Sequence, residues 1–170
     1  MPSEVLDFWF HEIDPGLWFA SDPAFDDTLR RRFGALLVQA AAGELYEWRT
    51  SAEGRLAEIL VLDQFPRNIH RDTPQAFAQD PMALALAQEA VAAGALQALD
   101  AVRRSFLLLP YMHSESPQIH TVAEALYREH APADNYDYEL RHKAIIDRFG
   151  RYPHRNAVLG RESTAEEQAF

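Results

Sequence analysis

Two stretches of this chain carry the same chemical groups at the same spacing. Residues 63–71 read Asp-Gln-Phe-Pro-Arg-Asn-Ile-His-Arg, and residues 147–155 read Asp-Arg-Phe-Gly-Arg-Tyr-Pro-His-Arg. Asp63 and Asp147, Phe65 and Phe149, Arg67 and Arg151, His70 and His154, and Arg71 and Arg155 match at one constant offset of 84 residues. Each copy follows an aliphatic run, Ile59–Leu62 and Ala144–Ile146, so each reads as the exit of a helix. The Phe would anchor the last turn. The Asp sits four residues before the first Arg, within reach of a local salt bridge. The second Arg and the His are then free for something else. Guanidinium forks suit carboxylate or phosphate oxygens, so the echo is open to two readings: a shared structural role, or a shared ligand site.

A second polar constellation, His113-Ser114-Glu115, lies between two apolar segments. A buried turn of this kind must satisfy its polar groups internally. His113 and Glu115 converge only in a non-helical stretch, where a Glu holding the imidazole proton makes an acid–base pair. The competing reading is a turn knotted by side-chain hydrogen bonds, with Ser114 or Ser116 capping the next helix. His120 and Glu124 share a helical face, but a zinc site needs further ligands, and Glu124 with Arg128 is an equally natural salt bridge. His142 reads as a hydrogen-bonded core histidine, and His11 and His130 as helix-end residues. There is no GxSxG elbow, Walker loop or dinucleotide fingerprint. No metal and no cofactor are expected.

These groups must be positioned by helices. No stretch alternates with period two, and Ala and Leu dominate. Helices are expected over about Ser3–His11, from Pro23 to just before Gly43, over Ser51–Phe65 with Pro66 at its end, and from a cap at Asp80 to Gly94. Others run over Asp100–Leu109 ending at Pro110, from Ser116-Pro117 to about His130, and over Asn135–Phe149 closed by Gly150. On the last of these, Tyr138, His142, Ile145 and Phe149 share the expected inner face. A capping box, Thr164 with Glu167, opens a short C-terminal helix. Trp18, Phe19, Tyr46 and Trp48 fall in connections and read as plugs between helices. The expectation is one all-α domain over residues 1–170, with seven or eight antiparallel helices in an array or irregular bundle.

Composition narrows the functional classes. The chain has 170 residues, 48% of them hydrophobic, and no cysteine, which excludes disulfides, cysteine nucleophiles and thiolate metal sites. It shows no signal-peptide pattern and no apolar run near the roughly 20 residues of a membrane span, so a cytoplasmic protein without membrane contact is expected. A formal net charge of −10 disfavours nucleic acid at long range, but a local basic pocket is compatible with it.

Three segments together resemble one bacterial family: Leu62–Ile69, Leu109–Glu115, and Phe149–Asn156 with Leu159-Gly160-Arg161. Phe8-Trp9-Phe10 and Trp18-Phe19 fit as well. The family is catalogued as domain of unknown function 924, and the resemblance covers essentially the whole chain. It commonly has Phe where this chain has Tyr111. The resemblance implies helical hairpins of the tetratricopeptide-like superfamily and a bacterial origin, and carries no established activity or cofactor. The residues themselves point first to a small anionic ligand held by Arg67, Arg71, Arg151, His154 and Arg155. Asp63, Asn68, Asp147 and Asn156 would support the site, and His113 and Glu115 would stand as its acid–base pair. Whether the ligand is turned over is open. The other reading is a peptide- or protein-binding scaffold, with a homo-oligomer also possible.

Overall fold

The computed structural model describes residues 1–170 and is helical throughout, with no strand. Nine α-helical segments follow one another: α1 (Pro2–Asp7), α2 (Pro23–Ala41), α3 (Ala52–Ile69), α4 (Asp80–Ala92), α5 (Ala101–His113), α6 (Pro117–His130), α7 (Ala133–Phe149), α8 (Asn156–Leu159) and α9 (Ala165–Ala169). The first short helix runs on into a π-helical turn, Phe8–Glu12. Most starts are written locally. The Asp22, Ser51, Asp100 and Ser116 side chains accept backbone N–H groups at the starts of α2, α3, α5 and α6. Gly150 (φ 72°) closes α7 in the left-handed conformation, and the Thr164–Glu167 capping box is formed.

Helices α1, α3, α5 and α7 lie side by side, each against the next; α4 packs on both α3 and α5, and α2 and α6 pack against the helices that follow them. α3 is the centre of this arrangement, with fourteen of its 18 residues buried. The core is one continuous cluster of 32 buried residues. Its aromatic end is organised by Trp9, fully buried among Trp18, Phe25, Phe65 and Phe106. The Phe106–Leu109 run is fully helical within α5.

Two boundaries differ from expectation in the same way. Pro66 and Pro110 do not end their helices: α3 continues to Ile69 and α5 to His113. A proline inside a helix removes one backbone hydrogen bond and costs about 3 kcal/mol. Here both prolines are buried in the core, so tertiary packing carries each helix through one more turn. That extra turn carries Arg67 and Asn68 on α3 and His113 on α5.

The inner face of α7 also differs. Its buried residues are Glu139 and Ile146, while Tyr138 is 53% exposed. A buried Glu breaks the apolar stripe from which the face is read; Glu139 is inside because it meets His120. Of the aromatics expected to fill connections, Trp18 and Trp48 pack against the core, whereas Phe19 and Tyr46 are exposed.

Candidate functional site

The site grows from the C-terminal turns of α3. Asp63 is 1% exposed, and its carboxylate meets three groups: Nδ1 of His113 at 2.7 Å, Nε2 of Gln64 at 2.8 Å and Nη1 of Arg67 at 3.5 Å. Burial alone would push its pKa up, but the charges of His113 and Arg67 and the hydrogen bonds outweigh burial and hold it at about 2. Arg67 then turns its fork to Asp80, donating Nη1 to Oδ1 at 2.8 Å and Nη2 to Oδ2 at 2.9 Å. Asp80 is therefore the counter-ion of Arg67 and not the side-chain cap of α4 that its position suggests; no cap hydrogen bond is made there.

Arg71, just beyond α3, is oriented from behind by Asp26 of α2. Its Nε donates to Oδ2 at 2.7 Å and its Nη2 to Oδ1 at 3.0 Å, while Asn68 donates to the same carboxylate at 2.9 Å. On the next layer, His113 ends α5. Its Nδ1 faces Asp63, and its Nε2 has no hydrogen bond within the protein. Burial first and the Arg67 charge second hold His113 below the ordinary histidine value, against the pull of Asp63.

The second copy of the echoed motif divides. His154 and Arg155 reach the site; Asp147 and Arg151 do not. Arg151 pairs with Glu167 of α9 at 2.8 and 2.9 Å and donates to the Glu162 carbonyl, and Asp147 takes Lys143 at 2.7 Å. The Asp147–Arg151 bridge suggested by spacing is thus absent. Lys143 occupies Asp147 one turn earlier, and the C-terminal helix supplies Arg151 with a better-buried carboxylate. Phe149 packs on Phe170 rather than in the core. The two motif copies meet through Arg67 and Arg155, whose guanidinium groups lie over the same Phe77 ring at 5.3 and 4.7 Å.

Arg155 is the least compensated cation of the group. It is 6% exposed, its Nε has no partner, and its nearest carboxylates, Asp80 and Glu115, stand 3.9 Å away. One firm bond, Nη2 to the His113 carbonyl at 3.0 Å, ties it to α5. Burial first and Arg67 second push its pKa down, the reverse of its arginine neighbours.

Glu115 does not hold His113. Its carboxylate receives the Arg161 fork at 2.9 and 3.0 Å and the Tyr152 backbone N–H at 2.6 Å. Asn156 in turn accepts from Arg161 Nε at 3.0 Å and donates to Ser163 at 3.1 Å. Glu115 and Asn156 therefore pin the C-terminal segment to the turn after α5. His120, fully buried, bridges Glu139 at 2.8 Å and the Ser114 carbonyl at 2.7 Å, a structural link between α6, α7 and that same turn. No three His, Asp or Glu side chains are grouped so as to hold a metal ion.

Two clefts open on either side of Phe77 and His113. The first, about 330 Å³, has Arg67, Arg71, His113, His154, Gln64 and Asn68 as its polar wall and Trp18, Phe19, Phe77 and Val158 as its apolar wall. The carboxylates that orient its arginines, Asp26, Asp63 and Asp80, are not in its lining; Asp72 is the one acidic residue there. Asp72 is also the one non-glycine residue with positive φ, at 64°, a conformation Asp tolerates better than most residues. The apolar wall is set by Trp18, whose Nε1 donates to the Trp9 carbonyl at 2.9 Å, and by Phe19, stacked on Phe106 at 5.8 Å. The second cleft, about 380 Å³, is lined by Asp80, Glu115 and Arg155 and is the more acidic of the two.

Residues 5–170 match the family described as bacterial protein of unknown function (DUF924). The chain belongs to that family. Among solved structures, it is similar to a protein of unknown function from Agrobacterium tumefaciens, at 39% identity and a TM-score of 0.94, covering 99% of this chain and 94% of that one. None of the curated proteins compared matches it. No helix is long and apolar enough to cross a membrane.

Of the residues the sequence singles out, Arg67, Arg71, Asn68, His113 and His154 line the first cleft, with Asp63 behind them, while Arg155 and Glu115 line the second. The sequence assigns no site role to Asp26, Asp80, Gln64, Phe77 or Arg161. Asp26 and Asp80 are 45 and 13 residues from their arginines, and nothing in local spacing marks such partners. Arg161 stands in the third family-like segment, which is the one signal that pointed towards it.

Proposed function

We propose that this DUF924 protein binds a small anionic metabolite, a carboxylate or phosphate, in the cleft between the ends of α3 and α5 and the 153–155 turn. The observation that carries this reading is the segregation of charge. Arg67 and Arg71 enter the lining while their carboxylate partners stand outside it, so each guanidinium is oriented by its counter-ion and keeps N–H groups, Nε of Arg67 and Nη1 of Arg71, without a protein partner. A net charge of −10 does not oppose this, since close-range field outweighs the distant exterior. The apolar wall of Trp18, Phe19, Phe77 and Val158 suits a ligand with a short hydrocarbon or ring body.

The scaffold reading has one observation in its favour: the side-by-side run of α1, α3, α5 and α7, which an array of helices that binds a peptide would share.

Calorimetric titration with inorganic phosphate and with succinate tests the proposal. One saturable site per chain is expected, weakened about tenfold or more by Arg71→Ala, given the strength of charge-assisted forks. Arg141→Ala, on the exposed face of α7, should leave binding unchanged. Equal affinities in both variants, or no saturation, would refute a cleft site.

A further inference from the structure

We infer that Asp63 and His113 form an acid–base dyad that hydrolyses a carboxylic ester whose acyl part carries a second, free carboxylate. This rests on the anion-binding reading above and adds a reaction to it.

The geometry supplies each part. Asp63 is fixed by Gln64 and Arg67, and accepts from His113 Nδ1 at 2.7 Å. An ionised carboxylate there sets the tautomer: Nδ1 carries the hydrogen, and Nε2 presents its lone pair. That nitrogen has no protein partner, and the ring lines the cleft that holds Arg67 and Arg71. Its neutral state near pH 7 follows from burial and from the Arg67 charge. The role expected of Glu115 falls instead to Asp63, because Glu115 is committed to Arg161.

The step balances without a further reactant. His113 Nε2 takes a proton from water as the water oxygen bonds to the acyl carbon. The tetrahedral oxyanion develops beside the Arg67 charge, which also faces His113, while Arg71 holds the free carboxylate. The bond from the acyl carbon to the alcohol oxygen then breaks, its electron pair leaves with that oxygen, and the imidazolium returns the proton to it. The products are a dicarboxylic acid and an alcohol. A carboxylic ester fits better than a phosphate ester because Asp26, Asp63 and Asp80 already offset the two arginines. Three carboxylates against two arginines leave no excess positive charge for a doubly charged phosphoryl group, whereas an uncharged ester carbonyl with one free carboxylate brings a single charge. Asp63 acts through His113 and is a positioning residue.

The test is hydrolysis of 4-nitrophenyl hydrogen succinate against the neutral ester 4-nitrophenyl acetate. Saturable turnover of the charged ester is expected, with at least a tenfold advantage in kcat/KM. His113→Gln should lower kcat by about a hundredfold or more, the usual scale of a lost general base. Arg71→Ala should raise KM with little change in kcat. Asp63→Asn should lower kcat and displace the acid limb of the pH profile, and Asp63→Glu should recover part of the loss. His113→Gln turning over the ester like the wild type, or no saturable turnover, overturns the dyad.

A second measurement needs no variant: long-range 1H–15N NMR of 15N-histidine protein at pH 7. It should find His113 neutral and protonated on Nδ1; a proton on Nε2 overturns the proposal. If succinate binds with the expected Arg71 dependence but the ester is not hydrolysed, the dyad fails and the binding reading stands. If succinate does not bind, both fail.

Discussion

Asp63 concentrates the account at the level of single residues, because one buried carboxylate orients both an imidazole and a guanidinium. Its pKa is held at about 2, below the ordinary 3.8. A lowered folded value contributes stability that is fully present above the unfolded pKa and is lost as pH falls through the folded one. The window here runs from about pH 4 down to about pH 2. Asp63→Asn should therefore flatten the acid limb of a urea-denaturation stability profile in that window; an unchanged limb would remove Asp63 from the role given to it. The residues legible in the sequence were those inside short motifs, Arg67, Arg71, His113 and His154. Their partners were not, because an ion pair between α2 and the end of α3, Asp26 with Arg71, is made by the fold and leaves no local spacing. Asp147 with Arg151 is the converse case: the spacing was right, but Lys143 and Glu167 compete more effectively.

Among the elements, α3 is the most demanding. It begins under the Tyr46–Thr50 turn, and a Cβ on Gly54 would stand 1.9 Å from the Trp48 carbonyl oxygen. Gly54→Ala should cost roughly 2–3 kcal/mol, an overpacking loss against backbone that cannot swing aside. Gly34 in α2 is the control. A Cβ there meets only Arg30 Cγ at 4.0 Å, so Gly34→Ala should stabilise by about 0.5–1 kcal/mol. Thermal denaturation of the two variants separates these outcomes by sign. On α7, burial is the first cause that lowers the His142 pKa, to about 4. The unfolded chain then binds more protons than the folded one between about pH 6.5 and pH 4, so stability falls as pH drops through that window. His142→Gln should make this fall shallower in the same denaturation series.

Helix existence was legible from periodicity and caps, and Gly150 and Thr164 marked their ends correctly. The ends of α3 and α5 were not, because proline is a local stop signal and burial of the following turn is a tertiary effect. The inner face of α7 was missed for a related reason: Glu139 is inside because of His120, a residue of another helix.

Across the whole molecule, the side-by-side helices bring the ends of α3 and α5 together, and the C-terminal segment closes over them through Arg161 and Glu115. The all-α class and the family resemblance were both legible in the sequence. That two motif copies would meet through Arg67 and Arg155 was not, since the constant offset pairs Arg67 with Arg151. An anion held at this junction would be sensed by the chain's seven histidines according to their distance from it. The decisive measurement is the histidine ring region of the NMR spectrum during a titration with succinate at constant ionic strength. His113 and His154 line the cleft, whereas His11 and His130 lie outside it. The His113 and His154 signals should shift along one saturating curve while those of His11 and His130 stay fixed. Shifts that grow together and without saturation at all four, or no shift at His113 and His154, would contradict it.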